Sequence, residues 1–281
     1  MAEVLKGAPV AEKLALEAKT NIEHLKAKGI SPTLAIVRVG EKPDDISYER
    51  NAIKRCELFG AEVKSVILPT DVTQDDLNEK VLGLSTDKSV HGVLIFRPLP
   101  NHINPQSVFE NLCPSKDIDG VTVHSLAGVF SGDSDVFSPC TAQAVLEILD
   151  YYNIDCTGKN IAVVGRSMVV GKPVAVMLLA KNATVTVCHT RTVDLKSITK
   201  ASDIIIVATG KAEGLTKDYF SSGQVVIDVG INWNEEKGKL CGDVKFDEVA
   251  PIVSAITPVP GGVGTVTTSV MVSNVVKAAL G

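Results

Sequence analysis

Apolar positions along this chain recur at two spacings, and the two spacings alternate. Residues 10–29 carry apolar positions at helical spacing among charged ones, and Gly29 ends the run. "TLAIVRVG" (33–40) follows as a β-rich run closed by glycine. Residues 45–59 predict a helix that Gly60 terminates, and "AEVKSVIL" (61–68) predicts a strand. "DVTQDDLNEKVLGLSTD" (71–87) predicts a helix with Thr73 as its cap, and "VHGVLIF" (90–96) a strand that "RPLP" breaks. The segment 126–140, "LAGVFSGDSDVFSPC", holds turn residues without a clear period and marks a domain junction. Beyond it the alternation resumes, with a helix at "TAQAVLEILDYY" (141–152) and a buried strand at "NIAVVG" (160–165). A helix from about Lys172 and strands at 183–188, 203–209 and 224–230 follow. "VTTSVMVSNVVKAAL" (266–280) predicts a last helix, although its valines lower the propensity. Strands alternating with helices imply parallel sheets covered by helices, so the expected fold class is α/β. Two lobes are predicted, with a cleft between them as the place for a small ligand.

Composition narrows the function. The chain has 281 residues, 45% hydrophobic and 22% charged, which suits an ordinary globular protein with a sizeable core. A net charge of −5 argues against a general nucleic-acid binder. Six cysteines occur with no C-x-x-C pair, so buried thiols in a reducing compartment are expected rather than a zinc site or redox pair. No apolar signal core follows Met1, and the chain reads as having no apolar run that reaches the roughly 18 residues that a membrane span needs. The expectation is a cytoplasmic protein with no membrane partner. The five histidines make no ligand spacing, so no metal is expected, and no G-x-S-x-G nucleophile motif occurs.

Three stretches carry candidate chemistry. The strand 160–165 runs into "GRSMVVGKP" (165–173), where Gly165 permits a sharp turn and Gly171 lies at the start of the next helix. Free N–H groups and the positive dipole end there suit a phosphate. Arg166 takes the place of the second glycine of G-x-G-x-x-G, so a plain βα turn is an equal alternative on this stretch alone. "CHTRT" (188–192) follows the next strand, where a second βα loop meets the adenosine ribose. It carries Thr190 and Arg191 and no acid, which favours NADP over NAD; the alternative is a solvated loop charge. "KDIDG" (116–120) places Asp117 and Asp119 two apart before glycine, either a turn or a carboxylate presented to a ligand. "TPVPGGVG" (257–264) combines prolines and glycines into a shaped loop whose backbone can approach a ligand.

Taken together, "KDIDG", "GRSMVVGKP", "VVIDVGIN" and "ITPVPGGVG" resemble, in order and spacing, the methylenetetrahydrofolate dehydrogenase/methenyltetrahydrofolate cyclohydrolase family. The resemblance covers nearly the whole chain. It implies an N-terminal folate-binding catalytic lobe, residues 1–139, to which a C-terminal helix, 265–281, returns. It implies a Rossmann-like NAD(P)-binding lobe at 140–264, a tetrahydrofolate substrate and a homodimer. The catalytic residues it implies are Tyr48 and Asp119. The substrate side is expected to comprise Tyr48, Ala52, Ile95, Phe96, Arg97 and Asp119, with Pro260, Gly261, Gly262, Val263 and Gly264. The cofactor side is expected to comprise Gly165, Arg166, Ser167, Gly171, Thr190, Arg191 and Ile231.

The chain departs from that pattern where it matters for chemistry. Ala52 stands where the family has a lysine four residues after the tyrosine, and Phe96 where it has a glutamine. Thr265 and Val266 stand where the family usually has proline and methionine. Lys54 is six residues beyond Tyr48, about 240° round a helix, and points elsewhere. Arg97 follows Phe96 on a predicted strand and is expected to face the opposite side. Hydride loss from the methylene carbon needs positioning and a nearby carboxylate, because the flanking nitrogens stabilise the cation. Ring opening by water needs a positioned acid/base as well. The expected function is therefore NADP-dependent oxidation of 5,10-methylenetetrahydrofolate to 5,10-methenyltetrahydrofolate, with weak or absent cyclohydrolase activity. The alternatives are a fully bifunctional enzyme using another acid/base and a non-catalytic folate- or nucleotide-binding subunit.

Overall fold

The computed structural model describes residues 2–281, leaving Met1 outside it. In chain order the strands and helices are β1 (Glu3–Val4), α1 (Gly7–Ala27), β2 (Thr33–Val39), α2 (Pro43–Phe59), β3 (Glu62–Leu68), α3 (Gln74–Thr86), β4 (Gly92–Ile95), α4 (Pro105–Phe109) and α5 (Val123–Ser131). They continue with α6 (Cys140–Tyr151), β5 (Asn160–Val164), α7 (Gly171–Ala180), β6 (Thr184–Cys188), α8 (Leu195–Lys200), β7 (Ile204–Val207), β8 (Val225–Asp228), β9 (Asn232–Asn234), β10 (Lys239–Cys241), α9 (Phe246–Val249), β11 (Ala255–Ile256) and α10 (Val263–Leu280). The chain divides into two compact units, and α1 and α10 each run from one into the other.

One unit comprises Lys13–Cys140 and Thr268–Gly281. Its sheet has the order β3-β2-β4, all parallel. The central strand is buried on both faces, as Leu34, Ala35, Ile36 and Val37 have no exposed surface, which explains its unbroken apolar run. Pro43 opens α2 with Asp44 and Asp45 in its first turn, and Gly60 closes it in the left-handed region. Thr73 caps α3 by accepting from the Asp76 N–H at 3.1 Å, as predicted. The stretch read as an irregular junction contains α5 instead. Thr122 caps it through the Ser125 N–H, and Gly132 ends it. Nine residues are too few to show a period, so the capping residues were its only signal.

The other unit comprises the residues up to Glu12 and Thr141–Thr267. Its six-stranded parallel sheet has the order β1-β11-β8-β7-β5-β6. From β5 the chain goes first to β6 on one side and then to β7 on the other, so a topological switch lies at the carboxyl ends of β5 and β7. The family resemblance implied that the first residues belong to the N-terminal lobe, but β1 pairs with β11, Glu3 opposite Ala255 and Val4 opposite Ile256. Two-residue strands carry no period, and only the tertiary pairing defines them. The same applies to the antiparallel β9–β10 ribbon.

Contrary to the expectation that no apolar run is long enough, α10 is apolar enough to cross a membrane by length and composition alone. It is a core helix here: Val263, Val266, Val270, Met271, Val272, Val275 and Val276 are all buried. Its valines are tolerated because tertiary packing outweighs intrinsic propensity.

Candidate functional site

On the unit built around β2, helix α2 carries Tyr48 and Ala52 one turn apart. Ala52 is completely buried, while Tyr48 keeps 37% of its surface open. The Phe96 ring meets the Tyr48 ring edge to face, centroids 5.3 Å apart at 63°. Lys54 is exposed, as its helical position predicts. Ile95, the last residue of β4, is buried in the core.

Arg97 does not face away as its sequence neighbour predicts. Its guanidinium donates to Asp119 Oδ2 at 2.6 Å. Strand β4 ends at Ile95, so strand alternation no longer governs the direction of Arg97. The other oxygen of Asp119 accepts from the Cys140 backbone N–H at 3.1 Å. The Cys140 thiol donates to the Ile118 carbonyl at 3.1 Å, and Asn274 from α10 donates to the same carbonyl at 2.9 Å. Burial, and then the Asp119 charge, push the Cys140 thiol well above its ordinary range, so it is no thiolate nucleophile near neutral pH. Burial and then the Asp119 charge likewise raise the Tyr48 phenol, with Arg97 pulling the other way. The cluster thus offers a neutral phenol, an aromatic edge and a carboxylate–guanidinium pair. It offers no amine.

Asp117 and Asp119 have separate jobs. Asp117 is fully buried and accepts from the N–H groups of Val121 at 2.9 Å and Thr122 at 2.8 Å and from Ser125 Oγ at 2.7 Å. It shapes the turn that presents Asp119. Asp117→Asn aims an amide at one of these donors and is expected to cost about 3 kcal/mol. A thermal melt will show a fall on the order of 10 °C, while turnover per folded molecule stays near that of the wild type.

Two residues missed in the sequence reading support the same place. Arg38 on β2 and Glu49 on α2 form a buried ion pair at 2.7 Å, and Arg38 also donates to the Gly40 carbonyl. The pair ties the helix to the strand one residue from Tyr48. The signal was present: an arginine inside "TLAIVRVG" has to be paired if that strand is buried.

On the other unit, the turn after β5 is closed by backbone against backbone. Gly165 has φ 141°, and a Cβ on it would strike the Ala208 carbonyl. A Cβ on Gly171 would strike the Gly165 carbonyl, so the start of α7 presses directly on the strand end. Helix α7 has no side-chain cap. The Lys172 N–H donates to the Ser167 carbonyl at 3.0 Å and Pro173 has no N–H, which leaves the Gly171 N–H at the helix start for a ligand. Ser167 Oγ accepts from the Val170 N–H at 3.1 Å and shapes the loop, while Arg166 is exposed. After β6, His189 Nδ1 accepts from the Arg191 N–H at 3.1 Å, and Thr192 Oγ1 accepts from the His189 N–H at 2.8 Å. This turn holds Thr190 and Arg191 outward. The residues fit a dinucleotide: a glycine-tight turn, an uncapped helix start at the sheet's switch point, and cations beside it.

Two buried aspartates, also missed, hold the neighbouring loops. Asp243 accepts from the N–H groups of Thr209 at 2.5 Å, Gly210 at 2.9 Å and Lys211 at 3.0 Å. Asp228 accepts from the N–H groups of Gly230 at 2.9 Å, Asp243 at 3.1 Å and Val244 at 2.9 Å. Burial pushes its carboxyl up to about 7, against the pull of those donors. In the 257–264 loop, Gly262 faces Gly7 backbone to backbone and the Gly7 N–H donates to Gly261 at 2.8 Å, so part of this glycine-rich loop serves packing on α1. Pro260 follows a cis bond, and Gly264 at the start of α10 adjoins the Ile231 side chain.

Residues 5–119 match the tetrahydrofolate dehydrogenase/cyclohydrolase catalytic domain, and residues 139–281 match the NAD(P)-binding domain of the same proteins. The chain belongs to the tetrahydrofolate dehydrogenase/cyclohydrolase family. It is 48% identical over 279 residues to the bifunctional protein FolD of Clostridium botulinum, covering 99% of each. It is similar to the crystal structure of the bifunctional FolD methylenetetrahydrofolate dehydrogenase/cyclohydrolase from Campylobacter jejuni, with TM-score 0.97 and 40% identity over 100% of this chain and 99% of that one. The Trypanosoma brucei dehydrogenase-cyclohydrolase, complexed with NADP and an inhibitor, is similar at TM-score 0.93 and 33% identity over 99% and 97% of the two chains. This tetrahydrofolate dehydrogenase/cyclohydrolase chain is thus an enzyme with two α/β domains, the second of which binds NAD(P).

Proposed function

We propose that the protein oxidises 5,10-methylenetetrahydrofolate to 5,10-methenyltetrahydrofolate with NADP, and hydrolyses the product weakly or not at all. The observation that carries this reading is the Arg97–Asp119 ion pair, set beside a Tyr48–Phe96 ring contact with only Ala52 on the next turn of the helix. Hydride loss from the folate asks for an oriented ring and a nearby carboxylate, and Tyr48 and Asp119 supply these. Bound NADP supplies the hydride acceptor. Ring opening asks for a group that takes a proton from water and returns one to nitrogen. A guanidinium stays protonated near neutral pH, and a phenol raised by burial holds its proton, so neither replaces an amine in that task.

A continuous assay with methylenetetrahydrofolate and each dinucleotide tests the oxidation. Fast methenyl formation with NADP is expected, and no turnover with either dinucleotide would sink the reading. The NADP preference rests on Arg166, Thr190 and Arg191 around the α7 start and on the absence of an acid in the 189–192 turn. Arg191→Ala is expected to weaken NADP binding by about tenfold to a hundredfold and NAD binding far less. Titration of each dinucleotide against both proteins checks this, and equal losses for the two would rule out a 2′-phosphate contact. The same reading includes a homodimer in the cytoplasm, where five buried thiols among six free cysteines stay reduced.

A second reading has one specific support. The Clostridium botulinum relative, 48% identical, bears a bifunctional name. Full cyclohydrolase activity here requires an acid/base outside position 52.

A further inference from the structure

The folate-side cluster holds one fixed cation and one anion in contact, Arg97 and Asp119 at 2.6 Å, each with part of its side chain open to solvent. A ligand beside Tyr48 therefore meets a neutralised pair rather than a lone carboxylate. The two folates on either side of the redox step differ in charge: the methylene form is neutral at its five-membered ring, and the methenyl form is a cation. A lone carboxylate favours the cation strongly, and an adjacent guanidinium weakens that preference without abolishing it.

We infer that Arg97 is a specificity-determining residue that discriminates against the methenyl cation, so that the oxidised product leaves before water opens its ring. This rests on the reading that folate occupies the Tyr48–Asp119 cluster. Ala52 and Phe96 add to the effect, because both surround the ring contact with apolar atoms instead of polar groups that would share the charge. One unit charge at a separation of several ångströms, screened by the open side of the site, changes relative affinity by about tenfold.

The test is equilibrium binding of methenyltetrahydrofolate and of tetrahydrofolate to the full-length protein without dinucleotide, by rapid ultrafiltration in mildly acidic buffer that keeps the methenyl ring closed. Wild type, Arg97→Leu and Arg97→Lys are compared. The ratio of the two dissociation constants is expected to shift about tenfold toward the cation in Arg97→Leu and to stay near the wild-type value in Arg97→Lys. A merely structural role changes both affinities alike and leaves the ratio fixed. An unchanged ratio in Arg97→Leu, or a lysine variant that matches the leucine variant, overturns the inference. If the leucine variant fails to fold, Arg97→Gln is read by the same ratio with the same consequences. Rapid hydrolysis of methenyltetrahydrofolate by the wild type overturns the weak-cyclohydrolase reading and the claim that the product leaves with its ring closed, whereas the ratio decides the discrimination by Arg97. Failure of either folate to bind overturns the site assignment, and the discrimination with it.

Discussion

Methenyltetrahydrofolate mixed with the wild-type protein will decay little faster than in buffer alone. General acid/base help is typically worth about 10²–10⁴ in rate, and neither Ala52 nor Phe96 can give it. Ala52 has no exposed surface, and the Phe96 ring lies against Tyr48 where an amide would be needed. Ala52→Lys with Phe96→Gln is expected to raise hydrolysis, but by less than that full range. The new ammonium enters a fully buried position, which opposes its charge and its folding. Absorbance decay of the methenyl form in a buffer that does not speed hydrolysis, with and without each protein, decides the matter. Rapid enzyme-dependent decay with the wild type would mean that another residue does the lysine's work.

Asp119→Asn will slow methylenetetrahydrofolate oxidation by about 10²-fold, by analogy with other charge-stabilising groups aimed at a transition state. Two losses combine. The carboxylate no longer faces the developing cation, and Arg97, held at 2.6 Å from it in the wild type, is left as an uncompensated positive charge in the same place. Asp117→Asn, two residues away, will alter the melt instead, because its carboxyl is spent on Val121, Thr122 and Ser125. Steady-state turnover with NADP, measured alongside thermal melts, separates the two. Equal turnover losses in both variants would contradict the division of labour between the aspartates.

Much of this was readable before any coordinates. The periodic segments became helices and strands at nearly the expected limits, because local start and stop signals bound them: Gly60 after α2, Thr73 before α3, the glycine after β5. From residue type alone the motifs at 116–120 and 165–173 offered either plain turns or a presented carboxylate and a phosphate-type turn, and the family resemblance chose between them. Position 52 could be compared with Tyr48 because a helix fixes which residues share a face. Short elements escaped, since β1, β9, β10 and β11 have two or three residues each and acquire meaning only from their partners.

Local sequence determined what is periodic or chemically unusual: the α/β alternation, the glycine turn, the paired acids, and the alanine and phenylalanine in place of polar groups. Tertiary structure alone decided where charges and backbones meet across long separations in the chain. It turned Arg97 toward Asp119, 22 residues on, where strand alternation pointed it away. It set Arg38 on Glu49, joined Glu3 to Ala255, and pressed Gly7 on Gly262. Propensity and periodicity act through neighbours within a few residues, whereas ion pairing and close packing depend on distances that exist only after the chain has folded.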